Sequence, residues 1–291
     1  MSVAATDLRS ARPGVRRRGR GASEPPSILG ELRALWAARS LCVALVRHDL
    51  RQRYVGSSIG FFWTVLVPMF ELAVYTFVFH VLIGVTFHPT GTTAHYVLFL
   101  FTGMVAWNAF ADGVVRATTS IRDNAHLVRK LNFPAIVLPV HLVASAVVNQ
   151  SLRLVVLTAA ILGFGDGLTW HVLLVPLFLF VQAVLSTGVG LLLATLNVYL
   201  RDTSHWVNAG LMLGAFVTPV FYPATEYPRQ FVLLLYPNPM AQLVGIYQSL
   251  LLVHRVPHVN SMLWALVTAT MALLVGASVF AHNRRRFADL V

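Results

Sequence analysis

Residues 116–134 read RATTSIRDNAHLVRKLNFP, and Lys130 in that stretch is the one lysine of the 291-residue chain. Long apolar segments flank it on both sides, so it is a charged tip between two stretches suited to lipid. Apolar runs of spanning length, roughly 17–25 residues, lie at about 58–84, 94–115, 135–163, 170–200, 206–222 and 258–281. The basic residues alternate with these runs. Eleven arginines precede the first run, four basic residues fall between the second and third, Arg201 follows the fourth, and Arg284, Arg285 and Arg286 follow the last. Only Arg229 and Arg255 fall on the opposite side, and Arg153 lies within a run. Basic residues gather on the cytosolic side of membrane proteins. The expectation is an all-α polytopic membrane protein with six transmembrane helices across residues 51–291 and both termini cytosolic.

Composition supports that class. The chain is 57% hydrophobic and 11% charged, where soluble domains carry about 25% charged residues. A net charge of +11 taken alone would suit nucleic acid, but six arginines crowd residues 1–20 among Pro, Gly and Ser. Residues 1–27 read as a disordered basic cytosolic tail attracted to anionic lipid. The lone Cys42 allows no internal disulfide and no cysteine metal cluster.

Two segments depart from a plain bundle. In 28–50, Ile28, Leu29, Leu32, Leu35 and Trp36 recur at helical spacing between charged residues, which predicts an amphipathic helix along the inner membrane face. In 223–257 the apolar pieces are too short to span, and Pro237 and Pro239 interrupt them. Irregular backbone at membrane depth needs cover from protein or a water-filled cavity. Two short re-entrant helices from the outer face are expected there.

Within the opening stretch, Ser120 followed by Asp123 is a helix start signal. Ile121, Ala125 and Val128 share a face with Leu127 and Leu131 beside it, and Arg122, Arg129 and Lys130 keep the rest polar. Two readings fit a helix over about 120–133: a positively charged anchor with a capped turn, or a helix that docks into a cytosolic partner. Periodicity alone favours the anchor.

The stretch FTGMVAWNAFADGVVRATTSIRDNAHLVRKLNFPAIVLPV (101–140) resembles the membrane subunits of bacterial polysaccharide-exporting ABC transporters, which move O-antigen, teichoic acid, capsule or galactan chains. So do RHDLRQRYVGSSIGFFWTVLVPMF (47–70), LNVYLRDTSHWVNAGLMLGAFVTPVFYP (196–223), YPNPMAQLVGIYQSLLL (236–252) and the closing RRRFADLV. The resemblance covers about 28–291, and its motifs recur in order. One departure is His48, where that family more often has a basic residue before the aspartate. The resemblance implies that Asn124, Leu127, Arg129, Lys130 and Phe133 contact a separate ATPase through a coupling helix. It implies that Arg47, Asp49, Arg53 and Tyr54 form a cytosolic gate where the lipid-linked head of the polymer enters. It also implies two permease copies with two ATPases, in a bacterial inner or plasma membrane.

A phosphate-cradling loop needs glycines before its lysine, whereas Lys130 follows Leu127, Val128 and Arg129. H-E-x-x-H and carboxylate clusters are also missing from the sequence. The chain therefore reads as a transport subunit without a catalytic site or bound cofactor, with ATP and Mg expected on the partner. Trp63, Phe70 and Phe77 repeat at seven residues on the first run, near one helical face. With Phe216, Phe221 and Tyr222 they are candidates for an aromatic-lined conduit, since sugar C–H faces stack on rings. For any single ring, lipid contact or packing is the simpler explanation, and it is the resemblance that implies a path between two permease copies.

Polar residues inside a membrane usually face the bundle interior or a cavity. At about 1.5 Å per residue, Glu71 lies about 20 Å into the first run, and Gln150 and Arg153 lie about 22 Å and about 27 Å into the third. Glu71 is expected to pair with the group Asn149, Gln150 and Arg153 as an intramembrane clamp, with contact to sugar hydroxyls as the other possibility. Competing functions are a related ABC exporter permease for drugs or lipids and, from another class, a polytopic lipid-linked sugar transferase. The latter needs embedded carboxylates or a histidine pair near the headgroups, which the sequence does not offer.

Overall fold

The computed structural model describes residues 28–53, 62–82, 84, 93–130, 133–165, 167–224, 227, 230 and 235–291. The basic tail, Tyr54 and most of 225–234 lie outside them. Every regular element among the described residues is helical. In order they are α1 (Ile28–Ala37), α2 (Arg39–Gln52), α3 (Trp63–Tyr75), α4 (Thr93–Asp123), α5 (Ala125–Val128), α6 (Val137–Phe164), α7 (Val175–Tyr199), α8 (Thr203–Val217), α9 (Pro239–Gln248) and α10 (Val259–Leu290).

Four helical segments are long and apolar enough to cross a bilayer: Tyr96–Asp123, Val137–Gly163, Trp170–Tyr199 and Val259–Leu290. The other two expected spans are shorter. Helix α3 continues as a π-helix over Thr76–Leu82, and Pro68 sits in its interior. Helix α8 has 15 residues, about 22 Å at 1.5 Å per residue, against a hydrocarbon core of about 30 Å. It stops because Thr218 precedes Pro219 and takes extended backbone, φ −86° and ψ 140°, as a pre-proline residue prefers.

Helix α4 is the central post. Leu98, Phe101, Val105, Val114, Ala117 and Ile121 along it are all buried, and it packs against α6, α7 and α9. Helices α7 and α10 meet backbone to backbone. A Cβ added at Gly188 or Gly276 would run into the opposite helix's main chain, so only glycine permits this approach. A smaller core at the α5 end unites Ile121, Ile136, Leu138, Leu191, Phe280 and Phe287.

Two local expectations change, and a third is described only in part. Residues 28–50 form two helices, and the apolar stripe divides: Ile28 and Leu35 pack onto the smaller core, while Leu29, Leu32 and Trp36 stay exposed. Among the described residues, 223–257 supplies one short helix, α9, extended by a π-helix over Ser249–Val253. Asn238 caps it by accepting from the main-chain N–H groups of Met240 and Ala241, and Pro239 suits the first helical position. No helix starts at Ser120. Its hydroxyl donates to the Ala117 carbonyl, α4 runs on to Asp123, and α5 is a single turn of 4 residues.

Candidate functional site

At the α5 end, four charges close a ring between α2 and α4. Arg53 donates to the Asp112 carboxylate at 2.8 Å and lies 3.5 Å from Asp49. Arg116 pairs with Asp49 and lies 3.6 Å from Asp112. Two cations alternate with two anions, so the ring is neutral and each carboxylate meets both arginines. Of the four gate candidates, the structure brings Asp49 and Arg53 together. Arg47 is exposed, and Tyr54 lies outside the described residues. Sequence reading sees in Asp112 and Arg116 only opposite charges four apart. It missed that both reach α2, because nothing in one chain's order reveals a contact across 67 residues.

The ring borders a polar cavity of about 250 Å³ between α3, α4 and α6, lined by Arg53, Trp63, Asn108, Asp112, Asn149 and Arg153 among others. Near it, Arg153 donates to Glu71 at 2.9 Å, with both side chains about one quarter exposed. This is the contact expected between the first and third apolar runs. Gln150 lines the same cavity, but its side chain bonds away from Glu71. It donates to Gln182 at 2.9 Å, and Gln182 donates to the Ala106 carbonyl at 2.9 Å. Asn149 lines the cavity without touching Glu71. The clamp is therefore one ion pair beside a separate amide relay that ties α6 to α7 and α4.

The conduit candidates divide by position. Trp63 borders the cavity. Phe70 of α3 and Phe77 of its π-helical extension are 59% and 53% exposed, on the outward side with Val74 and Val81. Phe216, 55% exposed on α8, stacks on Phe221 with ring centres 5.2 Å apart. The Tyr222 hydroxyl donates to the Phe216 carbonyl. Within one chain these rings do not line a common path, because those of α3 and α8 face outward.

The coupling candidates also separate. The Asn124 side chain donates to the Ser120 carbonyl at 2.9 Å and closes α4. Leu127 and Phe133 are half-buried against the chain's own smaller core. Arg129 and Lys130 are exposed, and Arg129 donates through Nε to the Val291 carbonyl at 2.9 Å. An unforeseen pair sits close by. Glu31 of α1 is 3% exposed and bonds Arg284 of α10 at 2.8 Å. Burial raises the Glu31 pKa, and the neighbouring Arg284 charge and hydrogen bond only partly oppose this. The spacing of Ile28, Glu31 and Leu35, three and then four residues, could have revealed this face, but a charged residue inside an amphipathic stripe reads as solvated.

Four helical segments of membrane length thus accompany a charged ring that joins α2 to α4. The chain belongs to the ABC-2 type transporter family, whose profile matches residues 40–252. It is a membrane-embedded transporter permease. In particular, it is similar to the O-antigen export system permease protein RfbA of Myxococcus xanthus, 32% identical over 264 residues that cover 89% of this chain and 98% of that protein. Two proteins of the same name from Klebsiella pneumoniae are 28% and 26% identical, each over 86% of this chain and 95% of their own length.

Proposed function

We propose that this chain is the permease subunit of an ABC exporter that moves a lipid-linked polysaccharide of the O-antigen kind across the bacterial inner membrane, driven by a separate ATPase. The observation that carries this reading is likeness along nearly the whole length of an O-antigen export permease, 98% of it, rather than over one motif. In this reading α3 with its π-helical extension and α8 are the first and fifth spans, and the α5 end faces the cytosol. Two copies and two ATPases assemble. The outward aromatic faces of α3 and α8, with Phe70 and Phe77 on one and Phe216 on the other, then meet between copies and line the conduit.

The ring of Asp49, Arg53, Asp112 and Arg116 is the gate. Closed, it is neutral and ties α2 to α4. To admit the polymer's lipid-linked head, α2 moves away and both arginines exchange carboxylate partners for water or for an anionic head group. Arginine suits that exchange because its planar fork binds carboxylate and phosphate alike. The segment 124–133 meets the ATPase through Arg129 and Lys130, while Leu127 and Phe133 hold the segment on the bundle.

The test is deletion of this chain in its host. Polymer is expected to vanish from the cell surface and accumulate, still lipid-linked, on the cytosolic side. Normal surface polymer in the deletion strain, with loss of resistance to a small drug, would refute the reading.

A further inference from the structure

Helix α10 ends where three elements converge. Its last turns carry Arg284, which holds the buried Glu31 of α1 at 2.8 Å. They carry Phe287, which is fully buried in the core that Ile28 and Leu35 of α1 and Leu127 and Phe133 of the coupling segment also join. Val291 follows, and its carbonyl accepts from Arg129 of that segment. Helix α1 packs on α10 and α2, and α5 packs on α10 and α4. The end of α10 is therefore the shared neighbour of the coupling segment and of α1, which in turn packs on the gate-bearing α2.

We propose that the end of α10, from Arg284 to Val291, relays movement of the coupling segment to α1 and α2, with Arg284 as the positioning residue that fixes how α1 sits on α10. This rests on the reading that segment 124–133 meets an ATPase. The physical reason is register. Successive residues of a helix lie about 100° apart, so a slip of α1 by one residue turns Glu31 away from Arg284 and leaves a buried carboxylate unpaired. Only one rotation of α1 satisfies that charge. A surface-lying amphipathic helix without such a pin could roll or slide. With the pin, α1 follows α10, and α2 and the ring at Asp49 and Arg53 follow α1.

The experiment compares Arg284→Ala, Arg284→Ala with Glu31→Gln, and Leu35→Ser in the full permease expressed with its ATPase. Three quantities are read: ATPase captured per permease, surface polymer per assembled complex in cells, and polymer exported per ATP hydrolysed. Arg284→Ala is expected to keep the ATPase captured while export per ATP falls at least fivefold. Adding Glu31→Gln removes the stranded charge and is expected to restore at least half of the loss. Leu35→Ser loosens α1 from its apolar side with the ion pair intact, and is expected to lower export per ATP as well. A merely structural role would lower the amount of complex and leave export per ATP unchanged. That outcome, or export per ATP within twofold of the parent in both Arg284→Ala and Leu35→Ser, overturns the relay. If Arg284→Ala does not assemble, Leu35→Ser decides by the same criterion. A parent permease that captures no ATPase overturns the functional reading and the relay together, whereas capture with unaltered export per ATP overturns the relay alone.

Discussion

Removing Glu71 strands Arg153 in the membrane. The two groups lie 2.9 Å apart, each about one quarter exposed. At that distance and an effective dielectric of about 20, their gross attraction is about 6 kcal/mol, most of it offset by the cost of taking both charges from water. The useful quantity is the cost of leaving one charge alone. An arginine at a helix centre costs about 2.5–3.5 kcal/mol on insertion scales, and the partial exposure of Arg153 reduces this to about 2 kcal/mol. Glu71→Leu is therefore expected to cost about 2 kcal/mol, close to a thirtyfold shift in the folding equilibrium. Glu71→Gln keeps an acceptor and costs about 1 kcal/mol. Glu71→Leu with Arg153→Leu removes both charges and returns stability close to that of the parent. The assay is unfolding titrated with a denaturing detergent, completed as a double-mutant cycle, alongside export per folded complex. If the single changes leave stability untouched, or if the double change costs the sum of the singles, the clamp is wrong. Loss of export with stability intact would assign Glu71 and Arg153 to the polymer path.

Other consequences follow from particular contacts. Gly188→Leu drives a side chain into the α10 backbone and is expected to cost about 3 kcal/mol, seen as loss of monodisperse permease; normal yield would contradict the close helix contact. The half-buried Cys42 thiol on α2 is pushed up in pKa by burial. Opening the charge ring with Arg116→Ala is expected to speed its labelling by maleimide severalfold, and an unchanged rate would show that the ring does not hold α2. Glu31 has its pKa raised above the ordinary 4.5 by burial, so the docked state of α1 binds the proton more tightly than a released one. This contribution to docking is complete below about pH 4.5 and fades as pH rises through the raised value. In Arg284→Ala, a spin label on α1 is expected to show release at neutral pH that reverses on mild acidification; release independent of pH would exclude Glu31 as its cause.

Several features were legible because they rest on local pattern. Four of the six apolar runs became helices long enough to cross a bilayer, and the pairing of Glu71 with Arg153 could be read from rarity, since charges at membrane depth need partners. Of the expected pair of short helices between residues 223 and 257, α9 is described, opened by Asn238 and Pro239, while residues 225, 226, 228, 229 and 231–234 lie outside the described residues. The coupling segment shrank to one turn because Ser120, read as a start signal, sits inside α4 and bonds backward to Ala117. The ring at Asp49, Arg53, Asp112 and Arg116 and the link from Glu31 to Arg284 were not legible. Each joins residues far apart in the chain, and each partner alone looks like an ordinary charge near a membrane surface.

The account depends on segment 124–133 facing the cytosol and meeting a separate ATPase. The most direct measurement places a photo-crosslinking residue at Lys130, whose side chain is exposed, in cells that make the permease and its ATPase. The account expects a crosslinked product of permease with ATPase that is lost when the ATPase is not expressed. Labelling of position 130 by an impermeant reagent from the periplasmic side, with no ATPase product, would contradict it.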